Sequence, residues 1–173
     1  MLRVLGTIQH GPFQDALKDE ANDLTNWVGE IHDGMFGHVQ KNNLFLNYAD
    51  AANGKSFADA ASTALLAASV YRLNLLAGKT AHLAQADKMR QTLFASDGSH
   101  IGSDGWLTPV VDPDNIGQQG SHSSEAQAFV LELHSAWRDW NATTGGKINA
   151  ARSTYAPTVL VAAVVMAASV FTC

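Results

Sequence analysis

The sequence has little of what many functional classes require. Its one cysteine, Cys173, excludes a disulfide within the chain and a metal site made of several cysteines. No GxSxG, GxxxxGK or HExxH motif is present, so the commonest signatures of serine hydrolases, phosphate-binding loops and zinc proteases are missing. We therefore expect no cofactor and no metal ion.

Positive charge is also sparse. The chain has 11 Lys and Arg residues against 16 Asp and Glu, a formal net charge of −5, and no basic cluster. Because nucleic acids are bound through local positive charge, we expect no nucleic-acid partner. An apolar fraction of 46% and a charged fraction of 16% are typical of a packed globular domain, and the length allows one such domain with a core.

Apolar residues recur at helical spacing, and no segment shows the alternation expected of a good strand, although "WLTPVV" could form a short one. The N-terminal residues predict the last turns of an amphipathic helix that ends near Gly11. Gly11-Pro12 predicts the start of a second helix that ends at Gly34. Its expected buried stripe consists of Phe13, Leu17, Ala21, Leu24, Val28 and Ile31.

The next two helices are predicted to form an antiparallel hairpin. Ser56 is the expected cap of the first, which ends at Gly78, and Thr80 is the expected cap of the second. The first of the pair is rich in alanine on more than one side, so neighbours can approach it all round and it should be an inner helix. The second should bury Leu83, Ala86, Met89 and Leu93.

A long polar loop, residues 95–120, precedes the last strongly periodic segment, and loops of this length are usually functional. In this loop "DPDNIG" favours a plain turn over a calcium loop, because Ile116 and Ser123 stand where oxygen ligands are needed. Ser124-Glu125-Ala126-Gln127 then predicts a capping box. The helix that follows should bury Ala126, Phe129, Val130, Leu133, Trp137 and Trp140. The expected fold class is all-α, built from helical hairpins.

The C-terminal residues form an uncharged apolar run after Arg152. Three interpretations compete: a glycolipid-anchor signal, a marginal membrane span, or a final core helix. Small residues upstream and a short polar spacer favour the anchor signal. Asn141-Ala142-Thr143 is a glycosylation sequon, which agrees with a secreted or cell-surface protein that is attached to the membrane through its tail.

Three segments resemble the C-terminal part of fungal members of glycoside hydrolase family 105, the unsaturated rhamnogalacturonyl hydrolases. They are "NYADAANGKSFADAASTALLAASVYRLNLLAG", "SDGWLTPVVDP" and "GQQGSHSSEAQAFVLELHSAWRDW". "MLRVLGTIQH" resembles the segment that follows the family's Gly-Asn-Gly-Trp motif. The resemblance implies an incomplete (α/α)6 barrel: residues 1–140 as the C-terminal portion of a six-hairpin glycosidase, 141–156 as a polar spacer and 157–173 as a hydrophobic tail.

The family's activity implies a pectin-derived oligosaccharide substrate. An aspartic acid protonates the double bond of a 4,5-unsaturated uronic acid and then activates water, and the hydrated sugar opens and releases its neighbour. One carboxyl group does both jobs, which requires a raised pKa. No residue of this sequence resembles that aspartate, which is expected upstream of Met1. The chain is therefore expected to be an inactive fragment of such a hydrolase.

The resemblance also implies substrate-binding residues. Asp59 and Ser62 match the family's Asp/Glu-x-x-Ser pattern at the start of an inner helix, although Asp59 could equally be a partner of the helix dipole. Trp106, in the long loop, could stack on a sugar or cover the barrel mouth. Ser124 and Glu125 align with the family's Ser-Pro-Glu-Gly-Gln-Ala, with Ser124 in place of the proline.

Neighbouring residues are expected to have other roles. His122 is more typical of a solvent-facing loop residue than of a ligand, and Trp27, Trp137 and Trp140 follow helical stripes that indicate packing. The competing hypothesis is a non-catalytic helical surface or interaction protein. A barrel cut through its hairpins would expose apolar faces, so such a chain should aggregate or oligomerise.

Overall fold

A computed structural model of the chain describes residues 1–50, 56–97 and 99–143. The described residues are mostly helical, as predicted. The helices are α1 (Leu2–His10), α2 (Lys18–Phe36), α3 (Ala60–Ala77), α4 (Leu83–Leu93) and α5 (Ser124–Thr143). The short strands are β1 (Phe45–Leu46), β2 (Ala58–Asp59), β3 (Val110–Asp112) and β4 (Asn115–Gly120).

The strands form two small antiparallel pairs, which the expectation of a purely helical chain missed. β1 pairs with β2 through Phe45 and Asp59, and β3 pairs with β4 through Val110 and Gly120. The "DPDNIG" segment is the turn of the second pair, where the Asp114 N–H donates to Asp112 Oδ1 at 2.9 Å. Strands β1, β2 and β3 are too short to show the two-residue alternation that predicts a strand, and the six residues of β4 include a single large apolar residue.

Helix α3 is the centre of the molecule. It packs against all four other helices, most extensively against α5 and α4. Its small residues let the neighbours approach closely, and the predicted inner position is confirmed. Its composition and length would also let it cross a bilayer, a property that buried core helices share. Its buried residues are Ala60, Thr63, Ala64, Ala67, Ala68, Val70, Tyr71 and Leu73.

Contacts along α3 give the directions of its neighbours. Near its C-terminal end, Arg72 Nη1 donates to Asp139 Oδ2 at 2.7 Å and Asn74 Oδ1 accepts from Trp140 Nε1 at 2.9 Å. Both partners lie late in α5, so the two helices run parallel. Helix α2 runs the opposite way. Its His32 contacts Ser69, in the second half of α3, whereas its last residue, Phe36, lies beside β1, which pairs with the strand just before α3. Alternating helix directions of this kind are typical of stacked helical hairpins.

The N-terminal hairpin differs from its prediction. Helix α1 ends at His10 as expected, but α2 begins at Lys18 rather than at Pro12, and it continues past Gly34 to Phe36. Phe13 is therefore 65% exposed. The buried residues of α2 are Val28, His32 and Phe36, whereas Ile31 and Trp27, expected to be buried, are exposed.

Two of the predicted caps are also wrong. Strand pairing keeps residues 58 and 59 extended, so α3 is capped by Asp59 rather than by Ser56. His82 occupies the cap position of α4, and Thr80 contributes only its carbonyl, which accepts from Leu83 N at 3.4 Å. The predicted interior of α4 is confirmed for Ala86, Met89 and Leu93, which are buried, with Leu83 packed beside them. In the predicted stripe of α5, two residues are buried, Ala126 and Leu133, and four are partly buried against the same core, Phe129, Val130, Trp137 and Trp140. The first three residues of the predicted spacer, 141–143, are the end of α5, and the rest of the spacer and the predicted tail lie outside the described residues.

Two glycines with the same predicted role should respond oppositely to alanine. Gly78 ends α3 at φ +67°, a left-handed conformation that a side chain strains, whereas Gly34 is helical with open space around its Cα. We expect Gly78→Ala to lower the free energy of unfolding by about 1 kcal/mol and Gly34→Ala to raise it by about 0.5–1 kcal/mol. Urea unfolding followed by circular dichroism measures both. Equal effects would contradict the assigned backbone conformations.

Candidate functional site

The long loop holds the N-terminal ends of α3 and α5 together. The Pro109 carbonyl accepts from Ala60 N at 2.8 Å, at the start of α3. Gln127, in the first turns of α5, accepts from Leu107 N through Oε1 and donates to the Gly105 carbonyl through Nε2, both at 2.9 Å. Loop residues at the ends of two parallel helices are a common location for binding sites.

Asp59 uses its carboxylate to cap α3. Oδ1 accepts from Ala61 N at 3.1 Å and Oδ2 accepts from Ser62 N at 3.0 Å, and the residue is 6% exposed. The Ser62 hydroxyl donates to the Asp59 carbonyl at 3.2 Å. Both predicted site residues therefore stabilise the helix start, which is the role that the helix-dipole interpretation gives to Asp59.

Trp106 lies at the surface beside two residues that the sequence analysis did not assign to a site. Its ring meets the His122 ring edge-on, with centroids 4.9 Å apart. His122 Nε2 lies 3.7 Å from Asp104 Oδ2, and its Nδ1 lies 2.8 Å from Ser121 Oγ. The side chains of His122 and Asp104 are more than half exposed. The only sequence signal for Asp104 is the Asp-Gly pair before Trp106.

The start of α5 is capped by Ser123, one residue before the predicted Ser124. Ser123 Oγ accepts from Ala126 N at 3.1 Å and donates to Glu125 Oε2 at 2.9 Å. The Gln127 side chain bonds to the loop and not to the backbone of the cap residue, so the predicted capping box does not form. Glu125 is fully exposed, and a hydrogen bond from its own backbone N–H, followed by that from Ser123, holds its pKa below the ordinary value.

The link between Trp106 and the start of α5 is Gln127, whose side chain bonds to the chain neighbours of Trp106 on both sides. We use the name loop cluster for Asp104, Trp106, His122, Ser124 and Glu125, which lie on the loop and at the start of α5. Asp59 and Ser62 belong to the neighbouring helix start and are engaged within α3. The loop cluster offers an aromatic ring, an imidazole, a hydroxyl and two carboxylates.

A separate apolar groove, of about 920 Å³, lies along the middle of the helices. Helices α1, α2, α3 and α5 form its walls, and Arg3 pairs with Glu132 across it at 2.6 Å. Most of its surface is apolar, and none of the loop-cluster residues lines it. Four large apolar side chains on the groove remain exposed: Met1 at 54%, Ile31 at 43%, Leu65 at 38% and Leu131 at 70%.

Two pairs of polar side chains lie at and next to this groove, and the first pair lines it. His32 Nε2 lies 2.7 Å from Ser69 Oγ, and His82 Nε2 lies 2.8 Å from Asp33 Oδ1. Burial, and then the neighbouring His82, lower the pKa of His32 to about 4, against a smaller opposite effect of Asp33. Ser69 lies mid-helix and also donates to the Leu66 carbonyl at 2.7 Å. Backbone N–H groups there are engaged in the helix, so the Ser-His pair lacks the oxyanion donors of a hydrolase.

Metal binding finds no support in the part of the chain that the structure describes, where no group of three or more His, Cys, Asp or Glu side chains is placed to hold an ion. Comparison with family models, curated proteins and solved structures finds no match to this chain. The features that indicate a function are therefore the loop cluster, the groove and the resemblance of the sequence.

Adjacent serines at the start of α5 provide a test of the cap. Ser123→Ala removes the acceptor of the Ala126 N–H and should lower the free energy of unfolding by about 1 kcal/mol. Ser124→Ala removes an exposed hydroxyl whose bond to Glu125 is 3.4 Å long, so its effect should stay within about 0.5 kcal/mol. Chemical denaturation compares the two variants. A larger loss for Ser124→Ala than for Ser123→Ala would mean that Ser124 caps α5, as the sequence predicts.

His32 should make the protein less stable in mild acid. Its pKa is about 4 in the folded chain and about 6.5 in the unfolded chain, so the unfolded chain takes up the proton first. The free energy of unfolding should therefore fall as the pH drops from 6.5 to 4, in total by on the order of 2–3 kcal/mol.

Paired substitutions isolate this contribution. His32→Gln keeps a polar group near Ser69 but has no proton to gain, so its free energy of unfolding should depend less on pH between 6.5 and 4. His38→Gln alters an exposed ring and serves as the control. Denaturation at a series of pH values measures the slopes, and identical slopes for His32→Gln and the parent chain would refute the assignment.

Proposed function

We propose that the chain carries the sugar-binding part of a glycoside hydrolase of the unsaturated rhamnogalacturonyl hydrolase type. The loop cluster is the single observation that best supports this function. It gathers three of the residues for which the family resemblance implies substrate contact, Trp106, Ser124 and Glu125, with Asp104 and His122 beside them. The closed (α/α)6 barrel of the family belongs to the same proposal.

The chemistry of the loop cluster suits a carbohydrate. A sugar ring presents C–H groups on its faces, which pack on an aromatic ring, and hydroxyls at its edge, which donate to carboxylates. Trp106 is half-buried, with its ring against His122. Asp104, next to His122, and Glu125, in the first turn of α5, supply exposed acceptors.

Charge indicates which part of the substrate binds here. Asp104 and Glu125 are both acidic, and a third carboxylate brought among them would be repelled. The uronic acid of the substrate carries such a carboxylate, whereas the rhamnose next to it is neutral. We infer that the loop cluster holds the neutral sugar and that the uronic acid lies beyond it.

Glu125 is unsuited to be the proton donor of the reaction. A general acid that works near neutral pH needs a raised pKa, whereas the pKa of Glu125 is lowered by its hydrogen bonds. Glu125 is therefore ionised and suited to accept hydrogen bonds from hydroxyls. This charge state agrees with a catalytic aspartate outside this sequence, as the resemblance implies.

A non-catalytic interaction protein is the second candidate function, and the apolar groove favours it. Four large apolar side chains exposed around one groove resemble a docking surface more than a typical monomer surface. Under this hypothesis the helical hairpins serve as a scaffold, and the loop cluster has no ligand.

Two tryptophans allow a matched binding test. We expect an unsaturated rhamnogalacturonan disaccharide to bind the chain weakly, with a Kd of about 1 mM. Trp106→Ala should weaken this binding about tenfold, which is equivalent to about 1.4 kcal/mol. Trp27→Ala removes a ring that is 51% exposed on α2 and should leave binding unchanged. Chemical shift titration by NMR measures the affinities.

Two outcomes would count against the sugar-binding hypothesis: no binding by the parent chain, or equal loss in the two variants. An activity assay completes the test. A version of the chain extended upstream through a catalytic aspartate should release the neutral sugar from the disaccharide, whereas this chain alone should not. Failure of release by the extended version would refute the substrate class.

A further inference from the structure

The apolar groove is independent of the loop cluster and needs an occupant. Its exposed wall residues come from separate elements: Ile31 from α2, Leu65 from α3 and Leu131 from α5. Each would be covered by one apolar segment laid along the groove. Apolar surface removed from water stabilises whatever covers it, roughly in proportion to the area.

The same chain contains a segment of matching chemistry. Residues 157–173 carry no charged side chain. An uncharged segment of this kind can be covered by an apolar surface without leaving an unpaired charge out of water.

The connection is long enough. Helix α5 forms one wall of the groove through Leu131 and ends at Thr143, about 18 Å further along its axis. Residues 144–156 could span roughly 40 Å when extended. The tail can therefore return from the end of α5 to any point of the groove.

We propose that residues 157–173 pack into the apolar groove of their own chain. This proposal corresponds to the third interpretation of the tail, a final core helix. Tethering favours it over a second copy, because covalent attachment through a short connection gives an effective concentration in the millimolar range. Any external partner of the groove must first displace the tail.

The single cysteine makes the proposal testable in the full chain. A nitroxide attached to Cys173 broadens NMR signals near it. We expect the methyl signals of Ile31, Leu65 and Leu131 to lose most of their intensity, and those of Ala86, which is buried on α4, to keep theirs. Reducing the nitroxide should restore all signals.

Substitution of the wall gives the matched control. Leu131→Asp places a charge in the groove at a position that is 70% exposed, so the fold should persist while the broadening at Ile31 and Leu65 disappears. Phe13→Asp changes a residue that is 65% exposed and does not line the groove, so it should leave the broadening intact.

Three results would overturn the proposal. One is the absence of selective broadening at the groove in the full chain. Another is broadening that appears only between a labelled chain and an unlabelled partner chain, which would make a second copy the occupant. The third is groove signals that are unaffected in buffer while the label inserts into phosphatidylcholine vesicles, which would assign the tail to the membrane.

Discussion

The burial of α3 is the constraint on which the rest of the structure depends. Four helices pack around this one, and its small side chains set how closely they approach. Thr63 shows how tightly the start of α3 is joined to its surroundings: its hydroxyl donates to the Asp59 carbonyl at 2.7 Å and accepts from Phe45 N at 3.0 Å. Interiors packed at this density tolerate little change in volume, so a larger residue in place of Ala64 or Ala67 would displace several helices together.

The parallel arrangement of α3 and α5 explains where polar chemistry accumulates. Parallel helices present their N-terminal N–H groups at the same end, and those groups need acceptors. Asp59 and Ser123 supply acceptors within the chain. The loop that links the two ends holds Trp106 half-buried, with the exposed His122 beside it. The cap residues of this junction are thus buried, whereas the candidate site residues lie nearer the surface.

The two candidate surfaces differ in every property that decides what binds. The loop cluster is polar and acidic, which suits a neutral sugar. The groove is apolar and its few charges are paired, Arg3 with Glu132 and Arg72 with Asp139, which suits an apolar segment. Because they share α5 but no side chain, each function can be tested without disturbing the other.

Local pattern in the sequence determined the helical hairpins, the inner position of α3, its end at Gly78 and the apolar stripe of α5, because helical periodicity reports burial directly. Only the tertiary structure decided the buried face of α2, the caps at Asp59 and Ser123, the short strands, the loop cluster and the groove. Each of these depends on contacts between distant segments, such as Gln127 with Gly105 or His32 with Ser69. A local pattern does not indicate which residues from distant segments will be in contact, so these features are decided by packing alone.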